Sequence, residues 1–317
     1  MKNSPPQKKA PSPAELSNPY GLLCYDQLPE WRKDNPYIYT QYRPISHSYK
    51  ACLKSLFYLH NQTGNIYSHL LFFFPVLALI IHNSLALAGV RTLSIQPRSD
   101  DVLAFSAFFA GAAMCMSFST AYHTFMSHSE YVASRGKLLD FAGITCLIWG
   151  SMMPTLYYAF NCETDVMKKY MVTFSTFGVM ALLYFLSPLA SNPTAQKMVI
   201  PLFVIFAASG ILPLAHGVQL YGWDRMDELV GLKYVLLHGA IYAASLGPFL
   251  TKFPECWLPG KCDMWFSSHQ IFHVAIVLAA SVHFLGLIKA FQFQHAHTQM
   301  LICPLLNTWK GDVLHVL

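Results

Sequence analysis

The chain has 317 residues, of which 54% are apolar and only 12% charged, against roughly 25% charged in an ordinary soluble domain. So few charges cannot cover the water-facing surface of a soluble protein of this size, and the same composition excludes a disordered, collagen-like or disulfide-stapled chain. The net charge of +5 comes from 21 scattered Lys and Arg with no basic stripe, so no nucleic-acid partner is expected. What remains is an all-α, polytopic membrane protein.

In chain order, residues 1–20 are polar and Pro-rich, with no apolar run after their charges; they read as a disordered tail, not a signal peptide. Residues 21–47 are mixed and broken by Pro, completing an N-terminal segment over 1–47. The stretch Ser48–Leu59 has apolar residues at helical spacing, with Lys50 and Lys54 on one side. It predicts an amphipathic interfacial helix, which with the entry to the first span fills 48–66. Seven apolar spans follow at about 68–89, 102–126, 138–160, 168–188, 198–219, 231–251 and 267–289. Each is near the ~20 residues needed to cross a hydrocarbon core. Together they predict a seven-transmembrane helix bundle over 67–289, followed by a C-terminal tail over 290–317. Pro188, Pro201, Pro213 and Pro248 fall in the fourth to sixth spans, where membrane helices tolerate them. The short connections make neighbouring helices antiparallel.

With a cytosolic N-terminus, that side carries 13 Lys and Arg against 8 on the other. The bias predicts N-terminus cytosolic and tail extracytoplasmic. Asn61-Gln62-Thr63 matches a glycosylation acceptor, but this topology keeps it in the cytosol, so the match reads as chance. None of the eight cysteines forms a CxxC pair, so a thiolate zinc or redox motif is not expected. Cys115 and Cys146 read as packing residues, and Cys256 and Cys262 could pair only in an oxidising compartment.

Ionisable groups inside a bilayer are costly and call for an explanation. Ser119 and His123 lie near the end of the second span, Asp140 at the start of the third, and His269 and His273 at the start of the seventh. Span parity puts all five at similar depth on the N-terminal side, whichever way the protein inserts. Ser119/His123 and His269/His273 are i, i+4 pairs, so each projects from one helix face. Zinc accepts imidazole nitrogens, and three histidines leave a fourth tetrahedral position for water. Asp140 could hydrogen-bond that water or take its proton, with Ser119 supporting it. A lone membrane histidine is more often an interhelical hydrogen-bonder, and 14 histidines produce some HxxxH spacing by chance. It is the shared depth that favours a metal.

Among the rest, His60 and His69 flank the entry to the first span, His69 reading as a cap or headgroup contact, with an approach to the site as the alternative. His238 and His283 are expected to hydrogen-bond neighbouring helices. His295, His297 and His315 read as solvated tail residues, and Asp224, Asp227 and Glu228 as a solvated turn.

Several segments together resemble the progestin and adipoQ receptor family, which includes adiponectin receptors, hemolysin III-type proteins and fungal zinc-homeostasis homologues. They are SLFYLHNQTGNIYSHLL, SFSTAYHTFMSHSE, KLLDFAGI and SSHQIFHVAIVLAASVHF, within about 35–290, and the wording is most like the adiponectin-receptor-like and fungal branch. The resemblance implies seven helices with a cytosolic N-terminus, and zinc held by His123, His269 and His273. It places Asp140 and Ser119 in water-binding or supporting positions. It also implies a zinc hydrolase cleaving a lipid amide, ceramidase-like, with a receptor-like role in lipid, sterol or zinc homeostasis. Ceramide-like lipid or free fatty acid would be partners, as could an extracellular protein or steroid. No DRY-like or NPxxY-like pattern appears, so no G protein is expected. A receptor with a purely structural zinc, and a zinc transporter or its regulator, are the competing readings. Plasma membrane and endomembrane both stay open.

Overall fold

A computed structural model describes residues 19–87, 97–187, 190, 192 and 197–296. Nearly all of the expected N-terminal disordered tail, and the C-terminal tail beyond 296 with His297 and His315, lie outside the described residues.

The helices are α1 (Tyr49–Lys54), α2 (Thr63–Leu87), α3 (Ser99–Phe125), α4 (Glu130–Phe160), α5 (Thr164–Leu186), α6 (Val199–Ser209), α7 (Ile211–Tyr221), α8 (Trp223–Val230), α9 (Leu232–Thr251) and α10 (Ser268–Ala296). Among the described residues there is no β-strand, only an isolated bridge between Leu23 and Tyr42. Seven segments are long and apolar enough to cross a membrane: α2, α3, α4, α5, the α6–α7 pair, α9 and α10. The protein is an integral multi-pass membrane protein. The fifth span breaks at Gly210 between α6 and α7, two turns after Pro201 and three residues before Pro213.

The bundle is built around α4, whose apolar window is 67% buried, against 11% for α9 and 17% for α5. Small residues let α3 and α4 meet backbone to backbone: a Cβ on Gly111 would stand 2.4 Å from the Cys146 carbonyl oxygen, and one on Gly150 2.5 Å from that of Ala107. Such close approach is what gives helices contact area where no hydrophobic effect drives them together.

Helix ends are fixed by buried polar groups. The Arg43 guanidinium is 1% exposed and donates to the carbonyls of His123 (2.5 Å) and Thr124 (2.8 Å) and to Ser55 Oγ (2.7 Å). It thereby satisfies carbonyls left open at the end of α3 and straps the N-terminal segment to that helix. Burial pulls its pKa down to about 10, so it stays charged at neutral pH. Glu255, fully buried, accepts from the Ser268 N–H (2.7 Å), the Ser268 hydroxyl and Asn35 Nδ2 (3.0 Å), and so caps the start of α10.

Several boundaries differ from the sequence expectation. The third span begins at Glu130, where Ser129 Oγ accepts from Val132 N–H, so Asp140 sits three turns inside α4 instead of at its start. The seventh helix runs on to Ala296, so His295 is helical and pairs with Asp101 Oδ2 at 2.9 Å; it is not a solvated tail residue. Asp227 is buried in α8 and pairs with Lys289 (2.7 Å) and Lys233 (3.3 Å), joining three helices where a solvated turn was expected. Cys256 and Cys262 are free thiols, as are the buried Cys115 and Cys146, while Cys162 at the far end of α4 is disulfide-bonded.

Candidate metal centre

The C-terminal end of α3 and the first two turns of α10 bring His123, His269 and His273 together. One ring nitrogen from each lies within 4.8 Å of the others. The helices deliver these residues because Arg43 pins the end of α3 and Glu255 pins the start of α10. His123 and His273 are each 3% exposed.

Hydrogen bonds to the other ring nitrogens settle which atoms face the centre. His123 Nδ1 lies 2.8 Å from Gln62 Oε1, which also accepts from Asn65 Nδ2 at 2.7 Å. An oxygen already taking an N–H can only accept from the imidazole, so the His123 proton is on Nδ1 and Nε2 carries a bare lone pair. His273 Nδ1 donates to the Asn65 carbonyl at 3.0 Å, which frees its Nε2 in the same way. His269 Nε2 stands 3.3 Å from His123 Nε2, so a proton or a cation must lie between them. Three inward nitrogens, two with their tautomer set from behind, form a donor set that fits a divalent metal ion accepting imidazole.

Ser119, 1% exposed, faces the Asp140 carboxyl outside hydrogen-bonding geometry, and its hydroxyl has no partner. Asp140 is half-buried and stands outside the histidine trio. The five predicted site residues therefore form two groups, three imidazoles and a carboxyl–hydroxyl pair.

His69 does not meet headgroups. It is 3% exposed and stacks on His273, with ring centroids 4.0 Å apart at 12°, holding the plane of that ring. Gln62, Asn65 and Ser68, whose hydroxyl lies 3.3 Å from His273 Nδ1, were missed as site residues. Their signal was present: amides and a hydroxyl at i, i+3 spacing open the first span, on the same side of the membrane as the histidines. Gln62 was absorbed into an apparent glycosylation acceptor, whose Asn61 is buried at 6% exposure.

Residues 57–284 match the family described as haemolysin-III related. The chain is 35% identical over 83% of its length to an adiponectin receptor protein of Drosophila melanogaster, of which it spans 58%. It is 33% identical to the ADIPOR-like receptor IZH2 of Saccharomyces cerevisiae over 91% of both chains. Heptahelical transmembrane protein 3 of Arabidopsis thaliana is 28% identical over 93% of the chain. The match to more than two thirds of its residues, and a seven-helix bundle with three imidazoles gathered at one end, show that the chain belongs to the haemolysin-III related family, among its adiponectin-receptor-like members.

Proposed function

We propose that the protein is a zinc-dependent hydrolase of a lipid amide, ceramidase-like, embedded in the membrane. The observation that carries this reading is the His123–His269 pair, two Nε2 atoms 3.3 Å apart with His123 held from behind by Gln62. Zinc is the divalent ion whose usual ligand set this is: three imidazoles, with a position left open. His123, His269 and His273 would hold it, and when bound it would supply Lewis-acid polarisation of an acyl carbonyl and a more acidic water. Asp140 takes one proton from the attacking water as the new C–O bond forms, then returns it to the nitrogen as the C–N bond breaks. The Ser119 hydroxyl, beside that carboxyl, holds the water in line. The substrate is a lipid because the groups lie inside a bundle whose outer helices face the bilayer. Ceramide would be cleaved to a free fatty acid and a long-chain amine.

Orientation belongs to the same proposal. The disulfide-bonded Cys162 sits at the end of the bundle opposite the trio. The free thiols Cys24, Cys52, Cys256 and Cys262 sit at the trio's end. Disulfides persist in oxidising compartments, so the trio lies toward the cytosol, as does the N-terminus.

Purified protein given ceramide should release free fatty acid, and Asp140→Ala should abolish that release with the metal content unchanged. Equal rates in the two proteins would reject the assignment. The fly and yeast relatives, an adiponectin receptor protein and an ADIPOR-like receptor, favour a second reading, a receptor for an outside protein or steroid with a purely structural ion. In that case His269→Ala would lower thermal stability while signalling survives in the folded fraction.

A further inference from the structure

A second set of buried polar groups lies deeper in the bundle, outside the metal centre. His283 is ten residues beyond His273 on α10, about 15 Å along the axis and turned to another face. Its ring contacts that of His238 on α9, centroids 4.8 Å apart, and His238 contacts Tyr242 at 4.6 Å. Ser151 of α4 closes the group, its carbonyl 3.0 Å from His283 Nε2.

The tautomers here can also be read. A carbonyl only accepts, so His283 carries its proton on Nε2 and presents a bare lone pair at Nδ1. On His238 it is Nε2 that lies buried without a partner, and the tautomer protonated at Nδ1 leaves it bare. His283 Nδ1, His238 Nε2, the Tyr242 hydroxyl and Ser151 Oγ are all buried without a partner. Several other hydroxyls in the spans return to their own helix, as Thr155 does to the Ser151 carbonyl and Ser245 to that of Tyr242. Four orphaned polar atoms on neighbouring residues, where each costs free energy, call for a partner from outside the chain. Two lone pairs fall short of the three protein ligands that zinc takes. Among the described residues no carboxylate joins the group to balance a cation. Two lone pairs beside two hydroxyls suit a neutral group that both donates and accepts, as an alcohol does.

We propose that this niche binds an alcohol hydroxyl on a lipid chain, its O–H donated to an imidazole nitrogen and its oxygen accepting from Tyr242. A ligand with its head at the trio would carry its hydroxyl about 15 Å down the chain. The proposal shares with the hydrolase reading only the claim that the ligand is a lipid.

Binding, not turnover, tests it. Purified full-length protein in nanodiscs would be titrated with a set of hydroxystearic acids differing in hydroxyl position, with stearic acid as control. One isomer should bind about tenfold tighter than stearic acid. Tyr242→Phe and His238→Phe should each erase that preference while stearic acid binds as before, which also shows that the variants fold. No preference for any isomer in the unaltered protein would mean that the niche holds water alone, and would overturn the proposal. A preference surviving both substitutions would place the hydroxyl elsewhere and overturn it too. A protein without hydrolase activity could still show the preference, so the two readings fail separately.

Discussion

Gln62 does its work through one oxygen, which accepts from Asn65 and from His123. Partners of this kind set the tautomer and aim of an imidazole, and losing one costs 10–100-fold in metal affinity. Gln62→Ala should weaken zinc binding by about that factor in a competition titration, with helix content unchanged. His60 is a second residue whose role lies behind the centre. It is 1% exposed and accepts the Gln62 N–H at Nδ1, 3.1 Å away. Burial, reinforced by the Arg43 charge, lowers its pKa to about 3, against about 6.5 for a free imidazole. Between those values the unfolded chain binds the proton and the folded one does not. The stability His60 contributes is therefore complete above pH 6.5 and is lost as pH falls toward 3. Thermal unfolding should fall more steeply between pH 7 and pH 5 in the parent than in His60→Gln; parallel curves would remove His60 from the account. Neither residue was legible beforehand as a working part, because a histidine and an amide before a span look like ordinary interface residues. His123, His269 and His273 were legible, since an imidazole inside an apolar run stands out and span parity gives its depth.

At the scale of elements, the spans were readable because hydropathy over ~20 residues is a strong signal, but their ends were not. α4 starts at Glu130 and α10 continues to Ala296, each extending through residues polar enough to read as loop. Those turns are held by caps and ion pairs with distant chain: Ser129 on Val132, His295 on Asp101, Glu255 on Ser268. Such partners, up to 194 residues apart, leave no local trace. Glu255→Ala removes the acceptor of the Ser268 N–H. It should destabilise the protein by about 1–2 kcal/mol, read as a lower melting temperature and faster hydrogen exchange in the first turn of α10. Because that turn carries His269 and the next one His273, zinc affinity should fall with it. A variant with intact affinity and unchanged exchange would show that the cap does not hold the helix start.

For the whole molecule, the distribution of thiols permits a direct test of topology. Cys256 is free and half-exposed at the trio's end. A membrane-impermeant maleimide should leave it unmodified in intact cells and label it after permeabilisation, whereas labelling of intact cells would put the trio outside. The Lys and Arg count pointed the same way, though most of its weight came from the long N-terminal segment. The architecture as a whole was legible because a bilayer permits few ways to arrange seven apolar helices; which helices touch was not, since that depends on glycines such as Gly111 and Gly150 meeting a neighbour's backbone. His123 and His269, 146 positions apart in the chain, have a consequence for biosynthesis. Synthesis runs from the N-terminus, so His123 enters the membrane long before His269 exists. A nascent chain offers one imidazole where the finished one offers three, and cannot retain a cation tightly. Loading of the proposed centre would then follow insertion of the last helix, with metal capture late in maturation.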